Sequence, residues 1–186
     1  MHRLLILALF TAPVTAAQGI INTARLTPSA LNFESGPNDR PLACDVTPIR
    51  PILNFSFRFQ AGYVVHVPMQ QYSGPGHFWG TLMRVTPESG DQKPVYLGGR
   101  TRLPPIPQTK MQLELGGGFL LGEGRYRVAW KLFDDAGRVC RKNWTIDAKL
   151  SRGERKVKVA LPPWLASCPR KKAMLFGRLS RMVPPS

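Results

Sequence analysis

The sequence predicts an all-β fold, an antiparallel sandwich of about seven to eight short strands, on three observations. Apolar residues recur with period two in one segment after another, as half-buried strands require. No good helical period occurs before residue 164. The 186 residues include 18 Pro and 17 Gly, a composition suited to many turns. Hydrophobic residues at 43% and charged residues at 20% belong to a globular chain rather than a disordered one.

Taken in order, residues 1–17 read as a secretory signal peptide. Met1-His2-Arg3 is basic and Leu4 to Phe10 is an unbroken apolar run. Val14-Thr15-Ala16, or Thr15-Ala16-Ala17, offers small residues for cleavage near Ala16 or Ala17. The run is shorter than the roughly 20 residues of a bilayer span. No other stretch approaches that length, so a secreted or periplasmic protein is expected, with no transmembrane segment after signal removal. Residues 18–41 are polar and read as a leader or edge strand, and residues 42–162 as the sandwich domain.

Within the domain, Leu53, Phe55, Phe57 and Phe59 alternate with polar residues and predict a first strand. Tyr63, Val65 and Val67 predict a second, which Pro68 ends. Phe78 to Val85 is a third with no clean face, and Val95 to Leu97 a short fourth. Met111, Leu113 and Leu115 form the next, which Gly116-Gly117-Gly118 is expected to break. The clearest strand places Tyr126, Val128, Trp130 and Leu132 on one face and Arg125, Arg127, Ala129 and Lys131 on the other. Asp134-Asp135-Ala136-Gly137 is a turn. Cys140, Lys142, Trp144 and Ile146 share a face of the return strand, and Val157, Val159 and Leu161 alternate in a last one. Tyr126, Val128, Trp130, Leu132, Phe55, Phe57 and Trp144 are expected to form the core together.

The run Leu121-Gly122-Glu123-Gly124-Arg125-Tyr126-Arg127-Val128, the Asp-x-x-Gly-Arg hairpin at 134–138 and the Trp144-bearing return strand resemble the end of a known module. They are similar to the last two strands of immunoglobulin-like or fibronectin type III-like modules of exported bacterial proteins. The resemblance implies an immunoglobulin-like sandwich in which Tyr126 forms a corner, its hydroxyl bonding backbone a few residues upstream. Where an antibody-type domain has its second Cys, this chain has Val128, so the antibody disulfide is not implied. The module class is functionally diverse and implies a binding or structural role at most.

Export would place Cys44, Cys140 and Cys168 in an oxidising compartment, where one disulfide is expected. Three pairings are open. No Cys/His spacing suggests zinc, and no catalytic, cofactor-binding or metal residue is assigned. His66 is expected to face solvent on its strand and His77 to sit at a loop edge. Asp134, Asp135 and His77 are the only candidates for a hydrolase acting on an envelope glycan, the alternative function; adjacent acids before Gly137 fit a turn better. Asn54-Phe55-Ser56 and Asn143-Trp144-Thr145 match the N-glycosylation pattern.

Charge is the more informative signal. Lys plus Arg number 26 against 11 Asp plus Glu, a net charge of +15. Residues 151–186 alone carry 9 basic and 1 acidic side chains. The basic tail, 163–186, holds Arg170, Lys171, Lys172, Arg178 and Arg181; at helical spacing Leu175, Leu179 and Met182 would share an apolar face. The tail is therefore the expected polyanion or membrane-surface contact. The expected function is a non-enzymatic exported module that contacts a protein partner or an anionic envelope polymer. Nucleic acid is not expected as a partner, since an exported chain does not meet the genome.

Overall fold

The computed structural model describes residues 19–74, 76–90, 93–162, 166–167 and 181–183. The strands are β1 (Gly19–Ile20), β2 (Arg40–Pro41), β3 (Asp45–Leu53), β4 (Phe59–Pro68), β5 (Phe78–Pro87), β6 (Val95–Arg102), β7 (Gln112–Leu121), β8 (Gly124–Asp134), β9 (Arg138–Ala148), β10 (Ala166–Ser167) and β11 (Arg181–Val183). One sheet has the order β1-β6-β5-β8-β9-β2 and the other β10-β7-β4-β3, with β11 also on β7. The long strands pair antiparallel; only the two-residue β2 runs parallel to its neighbour β9. The fold is a β-sandwich.

The core lies between the sheets. Tyr126, Val128, Trp130 and Leu132 of β8 pack there with Tyr63 and Val65 of β4, Phe119 of β7 and Met83 of β5. The Tyr63 and Trp130 rings are 5.2 Å apart, and Trp144 lies 6.4 Å from Tyr63, half-buried at the margin. A second, smaller cluster covers the outside of the six-stranded sheet. Phe33, with Ile21 and Leu26, packs on Leu82, Ala129, Tyr96 and Phe133. The segment read as a leader is thus a cover for half a sheet face, which explains why β5 shows no clean polar face.

Several expectations change. Leu53 to Phe59 is not one strand: β3 ends at Leu53, a turn follows, and β4 begins at Phe59. The alternation runs straight across this turn, so Phe55 and Phe57 are exposed rather than in the core. Pro48 and Pro51 hid the true strand upstream; β3 is the edge of its sheet, where missing N–H donors are tolerated. Gly116 to Gly118 do not break β7. A Cβ on Gly117 would come 2.5 Å from the Tyr63 ring, so the glycine admits a close approach mid-strand. Val157 to Leu161 is not a strand but irregular chain, which follows a 3-10 turn at Arg152–Glu154. Lys131, expected on a solvent face, is 6% exposed, with Nζ 2.7 Å from the Asn32 carbonyl and over the Phe33 ring. Burial, with Arg141 beside it, holds its ammonium below the ordinary range. Finally, strands do lie beyond Leu161: β10 and β11 pair with β7, and Met182, expected on a helical face with Leu175 and Leu179, stands in β11.

Candidate functional site

At one end of the sandwich β8 turns into β9. Gly137 takes φ +73, and its N–H donates to the Asp134 carbonyl at 3.2 Å. Asp134 Oδ1 accepts from the N–H groups of Ala136 (3.0 Å) and Arg138 (2.9 Å); Oδ2 accepts from Tyr72 Oη (2.9 Å) and Arg138 Nε (2.7 Å). The carboxylate is saturated by donors and holds the turn. Burial, then the bond to Asp134, pushes the Tyr72 hydroxyl far above its ordinary range. Beside it His77 Nδ1 lies 3.2 Å from Asp135 Oδ1, while Asp135 Oδ2 accepts from the Phe78 N–H at 3.2 Å. Burial alone would raise the Asp135 carboxyl, but these two donors outweigh it and hold it below the usual range. The three hydrolase candidates therefore converge on one end. There Asp134 faces protein donors rather than a cleft, and His77 has no nucleophile bonded to its other ring nitrogen among the described residues. His66 lies on an outer sheet face, half-exposed, 3.2 Å from Glu114. Among the described residues no group of three or more His, Cys, Asp or Glu is placed to hold a metal, and no helix is long and apolar enough to cross a membrane.

Tyr126 opens β8, fully buried, and its hydroxyl donates to the Gly122 carbonyl at 3.0 Å. Burial pushes its ionisation up to about 12. A tyrosine in the unfolded chain ionises near pH 10. Between about pH 10 and 12 the unfolded state thus binds fewer protons than the folded one, and stability falls as pH rises through this window. Thermal melts across that range should show the loss. Tyr126→Phe should make the slope shallower, Tyr72 supplying the rest, while costing about 1 kcal/mol at neutral pH, where the Gly122 carbonyl loses its donor. An unchanged slope would place the alkaline transition elsewhere.

The outer face of the six-stranded sheet carries a second candidate surface. Register sets Tyr96, Arg84, Ala129 and Asn143 in one row across β6, β5, β8 and β9, and Thr86, Arg127 and Thr145 in the next. On the outer face these rows form the floor of a groove of about 700 Å³, walled by Phe33, Glu34 and Pro94. The small side chain of Ala129 leaves room, and the N-terminal segment supplies a wall. Arg84 and Arg127 are diagonal neighbours on this floor, with Cα atoms about 7–8 Å apart by sheet geometry. The Arg84 guanidinium stacks over Phe33, 5.0 Å from the ring centre, and Arg127 is exposed. Neither makes an ion pair among the described residues, whereas the neighbouring Arg125 and Arg141 reach Glu88 (3.6 Å) and Asp39 (2.6 Å). Two unpaired arginines beside Tyr96, Asn143 and Thr145 make an anion-accepting surface with planar and hydrogen-bonding flanks. The period-two reading of β8 had put Arg127 on this face. Arg84 was hidden because β5 is buried on both sides.

Of the other singled-out residues, Cys44 and Cys140 form a disulfide across 96 residues, with Cα atoms 6.2 Å apart. Cys168, Arg170, Lys171, Lys172 and Arg178 lie outside the described residues, as does the proposed cleavage site at Ala16 or Ala17. Arg181 is described in its backbone, as the first residue of β11.

No family model matches the chain, and no curated protein matches it. Among solved structures it is similar to a protein from Bordetella pertussis described as ApaA, at 12% identity over 61% of this chain and 99% of that one, with TM-score 0.35. It is also similar to a structural-genomics target at 15% identity over 61% of this chain and 95% of that one, with TM-score 0.32.

Proposed function

We propose that the chain is a non-enzymatic, exported, immunoglobulin-like module that uses its basic sheet face to contact an anionic envelope surface. The observation that carries this reading is the groove holding Arg84 and Arg127, both without a carboxylate partner among the described residues. The immunoglobulin-like assignment draws on the strand order. β3-β4-β7 opposite β6-β5-β8-β9 corresponds to strands A-B-E opposite C′-C-F-G, with Tyr126 as the corner at the start of F. Export draws on the N-terminal segment and on the Cys44–Cys140 disulfide, which persists in oxidising compartments. The basic tail belongs to the same reading as a second cationic contribution.

The test compares wild type with the Arg84→Gln/Arg127→Gln double variant in binding to dextran sulfate, with neutral dextran as control. Each cation near an anionic surface contributes roughly 1 kcal/mol, so the pair should cost about tenfold or more in affinity. An unchanged affinity would remove the groove from the account and leave the tail as the contact.

A further inference from the structure

The turn between β3 and β4 presents apolar side chains to solvent. Phe55 is 106% exposed, Ile52 61% and Phe57 51%. Such large apolar groups are unusual on a free surface when clustered. They are not on a slack loop. The Asn54 side chain accepts from the N–H groups of Ser56 (3.0 Å) and Arg58 (3.2 Å), and its backbone bonds Phe57 and Arg58, each at 2.9 Å. The Phe57 carbonyl accepts from the Ala160 N–H at 2.7 Å, which ties the turn to the segment after β9. Phe57 itself takes φ +53, the one described non-glycine residue with positive φ. A bulky residue is costly in that region, and such strain persists where the surroundings impose it and gathers at functional positions. The chain thus holds a costly conformation that displays phenylalanine outward.

The chain flanking the tip is basic. Residues 46–60 contain Arg50 and Arg58 and no acid; residues 154–162, bonded to the tip through Ala160, contain Arg155, Lys156 and Lys158 against Glu154, and Glu123 stands in the β7–β8 turn at the same end. The tip also lies at the end of the sandwich where β8 begins and β5 and β9 end, the end toward which the Arg84–Arg127 groove lies. A protruding apolar knob within a cationic collar complements a deformable anionic surface with an apolar layer beneath it. Aromatic side chains settle into the headgroup boundary while Arg and Lys meet the phosphates.

We infer that the β3–β4 turn is a membrane-docking tip, in which Phe55, Phe57 and Ile52 enter the interface of an anionic lipid bilayer and the basic collar binds its headgroups. This deepens the reading of the chain as a binder of anionic surfaces and rests on it.

The experiment uses the full mature chain with vesicles of phosphatidylglycerol and phosphatidylethanolamine, vesicles of phosphatidylcholine, and dextran sulfate. Phe55→Ser with Phe57→Asn removes the two aromatic groups and leaves Ile52; Asn tolerates the positive φ, so the turn is kept. Vesicle affinity should fall about tenfold or more, the order expected for unburying a phenylalanine, while dextran sulfate binding stays unchanged. Phe55→Trp, which keeps the knob, should gain emission that acyl-brominated lipid quenches. Equal vesicle binding by wild type and the double variant, or no such quenching, overturns the inference and leaves the anionic reading standing. Wild type that binds dextran sulfate but no vesicle also overturns it. Loss of an envelope protein from pull-downs by the double variant, with vesicle binding intact, assigns the tip to a protein partner instead. Wild type that binds neither polymer nor vesicle fails the underlying reading itself.

Discussion

Breaking the Cys44–Cys140 bridge should lower stability by about 4 kcal/mol, within the 2–5 kcal/mol typical of long closed loops. The bond spans 96 residues and so restrains most of the unfolded domain. Its position adds to this. Cys44 precedes β3, the edge of one sheet, and Cys140 is buried on β9 near the edge of the other. Just before Cys44, β2 pairs Arg40 and Pro41 with Arg138 and Val139, so the chain passes from one sheet to the other beside the bridge. Thermal melts with and without reductant, and of a Cys44→Ala/Cys140→Ala variant, should fall together by roughly 10 °C for a domain of this size. Cys168→Ala should leave the transition where it is. Melts indifferent to both reductant and the double substitution would mean that the two sheets are held without the bond.

Trp130→Ala should cost about 3–5 kcal/mol, the range for truncating a fully buried large aromatic. Trp130 has no exposed surface and packs on Tyr63 across the sheet interface, so truncation leaves a cavity in the principal core. Its neighbour Lys131 points the other way, into the smaller cluster under Phe33. Lys131→Ala removes one hydrogen bond to Asn32 and a cation–π contact, about 1 kcal/mol or somewhat more. The pair thus measures the two clusters separately. Equal losses in denaturant melts would contradict the division into a principal core and a thinner outer one.

Period-two alternation located β8 and β9 well because each has one face in the principal core and a glycine turn between them. It misplaced the first strand because an exposed turn can continue an alternation by chance. Phe55 and Phe57 read as core since nothing in spacing alone distinguishes a buried aromatic from a displayed one. Asn54 was the local clue, a residue whose side chain closes turns. The candidate groove was only half legible. Arg127 follows from the outward phase of β8, but Arg84 and Phe33 meet through tertiary packing of the N-terminal segment, which no local period encodes. Asp134 and Asp135 read correctly as turn residues, whereas their bonds to Tyr72 and His77 depend on residues 58 or more positions away.

The account stands on electrostatic contact through Arg84 and Arg127, which make no ion pair among the described residues, and the salt dependence of binding tests this most directly. Affinity of the full chain for dextran sulfate should fall steeply as the screening length shrinks from about 10 Å at 0.1 M salt to about 3 Å at 1 M. The slope should be shallower for the Arg84→Gln/Arg127→Gln variant, which has fewer cations to screen. Binding that is absent at low salt, or that does not change with salt, would contradict the account.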